Sequence, residues 1–300
     1  MEGDTLLDRI RRSRSLKLFL LLGPGLIFLA IFFFAPFIIS LMMSLGMLDK
    51  EVYTWYLTFE VTLRYYIRFF TNPGTVRAII LSFYYASVTT IGTLLLSYPM
   101  AYYMAFKMDR RMKTTAVFII FLPFWVNFIL RVYAMRFILH EAGPLQQSLI
   151  SIGLLSQPIS ILGTDIAVII TMIYSYLIFM LLPIFGVVEK INKEYIEAAY
   201  TLGAPPMKTF LKITLPLSKP GIIAGSLLVF IPALGEFIIP ILVGGGRAYT
   251  IGRLIYDNFI RISGILGWAM GSAAAMIYIG LILISTYLYF KFVGREITLI

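Results

Sequence analysis

Residues Glu189–Pro220 read EKINKEYIEAAYTLGAPPMKTFLKITLPLSKP, a polar stretch flanked on both sides by sequence that could lie in lipid. It carries three acids, Glu189, Glu194 and Glu197, and five lysines, Lys190, Lys193, Lys208, Lys212 and Lys219. Its first half predicts a helix, because Asn192 can cap the start and neither glycine nor proline intervenes before Gly203. Ala199 and Gly203 are four apart and share a face on which missing bulk lets another helix approach. Gly203 suits a C-cap, and Pro205-Pro206 stop continuation. A second short helix can begin at Pro206, with Met207, Phe210 and Leu211 as an apolar stripe and Lys208 and Lys212 on another face. The stretch therefore predicts a helix–turn–helix outside the bilayer with an apolar ridge for docking. A helical loop lying on the membrane surface is the plainer alternative.

Composition places the rest in a membrane. Hydrophobic residues make up 60% of the chain and charged residues 13%, whereas a soluble domain carries about 25% charged residues. The net charge of +10 does not point to nucleic acid, because the basic residues cluster beside apolar runs without an interleaved aromatic–basic platform. With no cysteine there is no disulfide, thiol catalysis or Cys-ligated metal, and the single histidine, His140, cannot build a His-rich site.

Six apolar runs predict six spans. The first, Leu18–Ser44, follows a basic arm with Arg9, Arg11, Arg12, Arg14 and Lys17. It is too long for the apolar region of a secretory signal, so it reads as an uncleaved span whose Gly23-Pro24-Gly25 loosens the opening turn. Between Gly46 and Thr75, Tyr53, Trp55, Tyr56, Tyr65 and Tyr66 suit a membrane–water interface. Asn72-Pro73-Gly74 marks the turn into a second span over 76–106. A third runs over 115–139, a fourth over 165–188, a fifth over 220–243 and a sixth over 268–292. Residues 140–164 form a long connection, partly an interfacial helix. Gly221/Gly225 and Gly267/Gly271 are GxxxG pairs that favour close helix packing. Two segments follow: 1–75, with arm, first span and external loop, and 76–293, with five spans and the polar loop 189–220.

Six spans put both termini on one side. That side holds sixteen of the 25 lysines and arginines, so the arm, the 107–113 loop and the polar stretch are expected in the cytoplasm. No GxxxxGK[ST] phosphate loop occurs, so any ATP-driven step needs a separate ATPase.

The spacing in the polar stretch is specific. Glu197-Ala198-Ala199, Gly203, Ile213 and Leu215-Pro216 resemble the EAA signature of importer-type ABC permeases, with all seven positions matching. The resemblance implies an all-α membrane protein of type I ABC importer permease fold, with six transmembrane helices and both termini cytoplasmic. It implies that Glu197, Ala198, Ala199, Gly203, Ala204, Pro205, Met207, Phe210, Ile213, Leu215 and Pro216 couple the chain to an ATPase subunit.

Glu236 is the only acid well inside an expected span, and a lipid-buried charge needs a reason. It can face a pathway for a cationic solute, or pair with an arginine such as Arg131 in helix packing. Pro123-Phe124-Trp125-Val126-Asn127 with Arg131 and Tyr133 resembles the PFWxNxxxRxY pattern of the spermidine/putrescine permeases. Gly235-Glu236-Phe237-Ile238-Ile239-Pro240, Gly244-Gly245 and Ile251-Gly252 resemble the corresponding segment of the putrescine-type member. Gly264-Ile265-Leu266-Gly267-Trp268 departs from it, since the family usually carries RDWP there. The resemblance implies a substrate pathway through Glu236, Trp125, Asn127, Arg131 and Tyr133, the aromatics meeting protonated amines by cation–π contact. It further implies two ATPase subunits carrying ATP-Mg, a second homologous permease or a copy of this chain, and an external polyamine-binding protein. No cofactor is expected on this chain, no nucleic acid partner, and location in the inner (plasma) membrane. The alternatives are the same machine for ferric ion, thiamine or a phosphonate, or a self-contained secondary carrier. A carrier would call for inverted repeats or a proton relay. A membrane enzyme would need paired carboxylates, a His cluster or an activated serine, none of which is visible.

Overall fold

The computed structural model describes residues 14–51, 54–57, 61–262 and 264–292. The basic residues before Arg14, the side chains of Tyr53, Trp55 and Tyr56, and the tail after Phe292 lie outside the described residues, and with them the expectations placed there. In chain order the helices are α1 (Arg14–Leu29), α2 (Ala35–Ser44), α3 (Arg64–Thr71), α4 (Pro73–Lys107), α5 (Arg110–Phe121) and α6 (Phe128–Leu139). They continue as α7 (Pro144–Ser151), α8 (Asp165–Val188), α9 (Lys193–Thr201), α10 (Pro206–Thr209), α11 (Leu215–Leu234), α12 (Ile238–Val243), α13 (Ile251–Tyr256) and α14 (Ile265–Phe292). The fold is helical apart from one short antiparallel ladder, β1 (Leu48–Glu51) against β2 (Thr54–Leu57), between α2 and α3.

Five continuous helices among the described residues are long and apolar enough to cross a membrane: Leu21–Ser44, Pro73–Lys107, Asp165–Val188, Pro206–Leu234 and Ile265–Lys291. A sixth span by the same measure requires Arg110–Trp125 and Phe128–Ser151 to be taken together, and that pair is bent by 94°. The single third helix expected over 115–139 is thus broken. Pro123 lacks an N–H and disfavours helix at the residue before it, so the chain tightens over Leu122–Trp125 and extends at Val126. Asn127 then starts a new helix, its Oδ1 accepting from the Ile129 N–H at 2.9 Å.

Two further expectations are corrected. Gly23-Pro24-Gly25 does not loosen the first helix, which runs through it; the irregularity falls at the wide turn Ala30–Phe34. The fifth helix begins at Pro206 rather than near Pro220, with α10 and α11 joined by the wide turn Phe210–Thr214. A widened turn gives room to the ring of Pro216, whose missing N–H leaves the i→i−4 ladder open there.

The chain divides into two units, Met1–Phe69 with Asn258–Met276, and Phe70–Asp257 with Ile277–Ile300. The first chain segment of the expected division therefore groups with the start of the last helix. In that unit Tyr65 is buried against Ala269 and Ala273, and the Ser44 and Tyr66 hydroxyls sit 2.7 Å apart. A side chain at Gly271 would collide with the Phe259 ring, and one at Gly267 with the Asn258 carbonyl at 2.7 Å. The Gly267/Gly271 pair thus serves the adjoining segment, not the packing of two spans.

The second unit holds the main core, where α4, α8 and α11 bury Tyr85, Met172, Met180, Leu181, Ile184 and Leu234. Gly221 and Gly225 act here as their spacing predicts. A Cβ at Gly221 would lie 2.7 Å from the Pro183 carbonyl oxygen, and one at Gly225 2.8 Å from Met180 Sδ. Buried polar links tie the same helices: the Tyr98 and Ser218 hydroxyls are 2.8 Å apart, and Ser97 donates to the Leu177 carbonyl at 3.2 Å. The long connection 140–164 contains α7 and is pinned by the fully buried Gln146. Its Nε2 donates to the Ile159 carbonyl at 2.6 Å while its Oε1 accepts from the Ile159 N–H at 2.7 Å.

Candidate functional sites: the coupling loop and the Glu236 cavity

The polar stretch folds as a helix and a sharp turn. Asn192 caps α9, its Oδ1 accepting from the Glu194 N–H at 3.1 Å and its Nδ2 donating to Glu194 Oε2 at 3.0 Å. The helix closes by a Schellman arrangement. Gly203 N–H donates to the Tyr200 carbonyl at 2.9 Å and Ala204 N–H to the Ala199 carbonyl at 3.0 Å. This requires a left-handed residue, which Gly203 supplies with φ of +78°. Ile196 and Ala199 are buried within the chain, while Glu197, Ala198, Gly203 and Pro205 are exposed and Ala204 is half-buried. The expected apolar stripe divides. Phe210 turns inward, 5.6 Å from the Tyr98 ring and 5.9 Å from that of Tyr102, whereas Met207 and Leu211 stay exposed. Leu202, which the sequence did not single out, is 88% exposed at the turn and extends that surface. Ile213, Leu215 and Pro216 are half-buried where the loop becomes α11. Lys113 pairs with Glu189 at 3.1 Å and joins the neighbouring basic loop to the end of α8. Glu197 lines a shallow cavity of about 290 Å³ with Lys107, Lys193, Tyr102 and Tyr200.

Glu236 lies at a break, between α11 and α12, rather than within a continuous span. Only 7% of it is exposed. Its Oε2 accepts from the Tyr176 hydroxyl at 2.5 Å, and its Oε1 from the N–H groups of Ile238 at 2.8 Å and Ile239 at 3.3 Å. The carboxylate thus caps the first turn of α12 and satisfies N–H groups that have no partner inside that helix. Thr250 Oγ1 donates to the Glu236 backbone carbonyl at 3.0 Å. A side chain at Gly235 would strike the Tyr278 hydroxyl, so the break is packed closely from a second side.

A cavity of about 560 Å³ opens beside this carboxylate, lined by Arg131, Tyr176, Phe179, Glu236 and several apolar side chains of α6 and α11. Arg131 is 8% exposed and forms no ion pair with Glu236, contrary to the packing alternative. Its guanidinium carbon instead lies 4.2 Å from the Phe124 ring centroid and 5.5 Å from that of Phe128. The remaining expected pathway residues do not line this cavity. Trp125 is 75% exposed and meets Phe118 edge-on, Tyr133 is 49% exposed, and Asn127 is spent on capping α6. Tyr176 was missed; it is one of two tyrosines, with Tyr174, in the Asp165–Val188 segment, and residue type did not say which of them faces Glu236. Phe179 left no signal, being one apolar residue among many.

Comparison with known proteins shows the family. Residues 93–297 match the family model of the binding-protein-dependent transport system inner membrane component. The chain belongs to that family. This permease is 35% identical over 278 residues to the spermidine/putrescine transport system permease protein PotB of Haemophilus influenzae, covering 92% of the chain and 95% of the relative. It is 33% identical over 287 residues to the inner membrane ABC transporter permease protein YdcU of Escherichia coli, covering 92% and 89%. A solved bacterial ABC transporter involved in import of the acidic polysaccharide alginate shares the permease's fold, with a TM-score of 0.77 at 19% identity over 97% of this chain and 98% of that one. The permease is therefore a multi-pass inner-membrane protein of the ABC importer permease fold, and its relatives are transport components.

Proposed function

We propose that this permease forms part of the pathway for putrescine and spermidine in an ATP-driven importer, with Glu236 as the carboxylate that meets the protonated amine. The observation carrying the reading is a buried carboxylate, held only by neutral donors, on the wall of a cavity. A polyammonium solute entering a low-dielectric interior needs such a charge to offset lost hydration. The kinship to PotB, named for spermidine and putrescine, supports the same substrate class. Ferric ion, thiamine and phosphonate are the competing solutes of the same fold.

The exposed surface of Leu202, Met207 and Leu211 beside Glu197 seats the ATPase. Two ATPase subunits carry ATP-Mg, a second permease or a second copy of this chain completes the pathway, and an external polyamine-binding protein delivers solute. The loop Glu189–Pro220 and both termini face the cytoplasm on this reading, as the charge asymmetry predicts. The test is ATP hydrolysis by the reconstituted complex, with polyamine-loaded binding protein, with empty binding protein, and with one loaded by another cation. Stimulation by putrescine or spermidine is expected; stimulation only by the other cation contradicts the substrate assignment.

A further inference from the structure

We infer that Arg131 is a resident counter-cation that limits how tightly Glu236 holds a passing polyamine, and so sets the rate of solute release. The inference rests on the polyamine reading above.

Two opposite charges line one cavity without pairing. Glu236 has both oxygens occupied by neutral donors, Tyr176 on one side and the Ile238 and Ile239 N–H groups on the other. Arg131 is held over Phe124 and Phe128, and its buried Nε has no hydrogen-bond acceptor. Buried opposite charges with freedom to move would pair, since leaving a charged donor unmatched is costly. Here the two aromatic faces and the capping role of the carboxylate fix them apart.

The arrangement answers a problem set by the substrate. A lone carboxylate on the largely apolar wall of a cavity attracts a polyammonium ion strongly, and conduction fails when a site binds too firmly to let its ion go. A fixed guanidinium lining the same cavity weakens that attraction for each ammonium group in reach, because the two cations repel. The effect grows with solute charge, so spermidine feels it more than putrescine. It also leaves the empty cavity with a carboxylate whose charge is opposed from the same lining, which lowers the cost of emptying it.

The experiment uses the complete transporter with its ATPase and binding protein in proteoliposomes, at saturating loaded binding protein. Turnover and the amount of labelled solute retained on the transporter are measured for wild type, Arg131→Gln and Arg131→Lys. Arg131→Gln should retain more solute and turn over roughly fivefold or more slowly with spermidine, and be affected less with putrescine. Arg131→Lys keeps the charge but not the plane stacked on Phe124 and Phe128, so it should fall between wild type and Arg131→Gln in both readouts. Unchanged turnover in Arg131→Gln, an equal loss for both solutes without added retention, or an Arg131→Lys variant that loses turnover as far as the glutamine variant each overturns the inference. Wild-type complex that moves neither polyamine instead defeats the polyamine reading on which it rests.

Discussion

The Tyr176 hydroxyl donates a 2.5 Å hydrogen bond to Oε2 of Glu236, joining the middle of α8 to the break between α11 and α12. The bond runs from one of the three helices that build the main core to that break, so the carboxylate is anchored to the core through α8. Charge-assisted hydrogen bonds of this kind are the stronger ones.

Tyr176→Phe keeps the ring and removes that donor. The change should cost about 2 kcal/mol of stability, the usual range for a hydrogen bond to a charged group. Detergent-solubilised yield and thermal unfolding of the variant check the loss, and uptake should fall because the carboxylate loses its orientation. A variant with wild-type unfolding and uptake would show that the bond positions nothing.

Gly203 at φ of +78° gives a second outcome. A Cβ there meets no atom of this chain, so the demand is conformational. Gly203→Ala should weaken the turn by about 1 kcal/mol, the penalty for a side chain in left-handed backbone. Gly203→Asp adds a charge to the exposed docking surface and should leave the protein inserted but uncoupled from its ATPase. Pull-down of the ATPase together with uptake reads this, and normal uptake by Gly203→Asp would remove the loop from coupling.

Much of this was legible in the sequence. The polar loop announced itself by charge in an apolar chain, and Asn192, Gly203 and Pro205-Pro206 predicted its cap, turn and restart, all of which the structure contains. The spans over 76–106 and 165–188 followed from apolar length alone. Elsewhere a local rule was outweighed by packing. Pro220 looked like the start of a span, yet the helix Leu215–Leu234 runs through it and the apolar span begins at Pro206. Pro123 looked tolerable inside a span, yet with Asn127 behind it the chain bends by 94°. Glu236 stood out as a charge in lipid, but Tyr176, 60 residues earlier, becomes its partner only through the packing of α8 against α11. Trp125 and Tyr133 were singled out by chemistry, and which face of a helix meets a cavity is not encoded in residue type.

The Gly221/Gly225 pair tests that packing. Gly225 faces Met180 so closely that a Cβ would lie 3.0 Å from its carbonyl oxygen. Gly225→Leu should force α8 and α11 apart, with the 1–3 kcal/mol loss, roughly, of an overpacked core. Reduced solubilised yield and a lowered unfolding temperature are expected. Gly246→Leu is the control, because a Cβ there meets nothing within 4 Å. Equal behaviour of the two variants would contradict the close approach.

Accumulation of labelled putrescine in proteoliposomes, driven by ATP through wild type and Glu236→Gln at matched yield, tests the central claim most directly. Glutamine keeps size and hydrogen-bonding capacity while removing the charge, so the comparison isolates the electrostatic contribution of the cavity. The account predicts ATP-dependent accumulation by wild type and at least about a tenfold lower rate for Glu236→Gln, the equivalent of about 1.4 kcal/mol lost along the pathway. Wild-type accumulation matched by Glu236→Gln would contradict it.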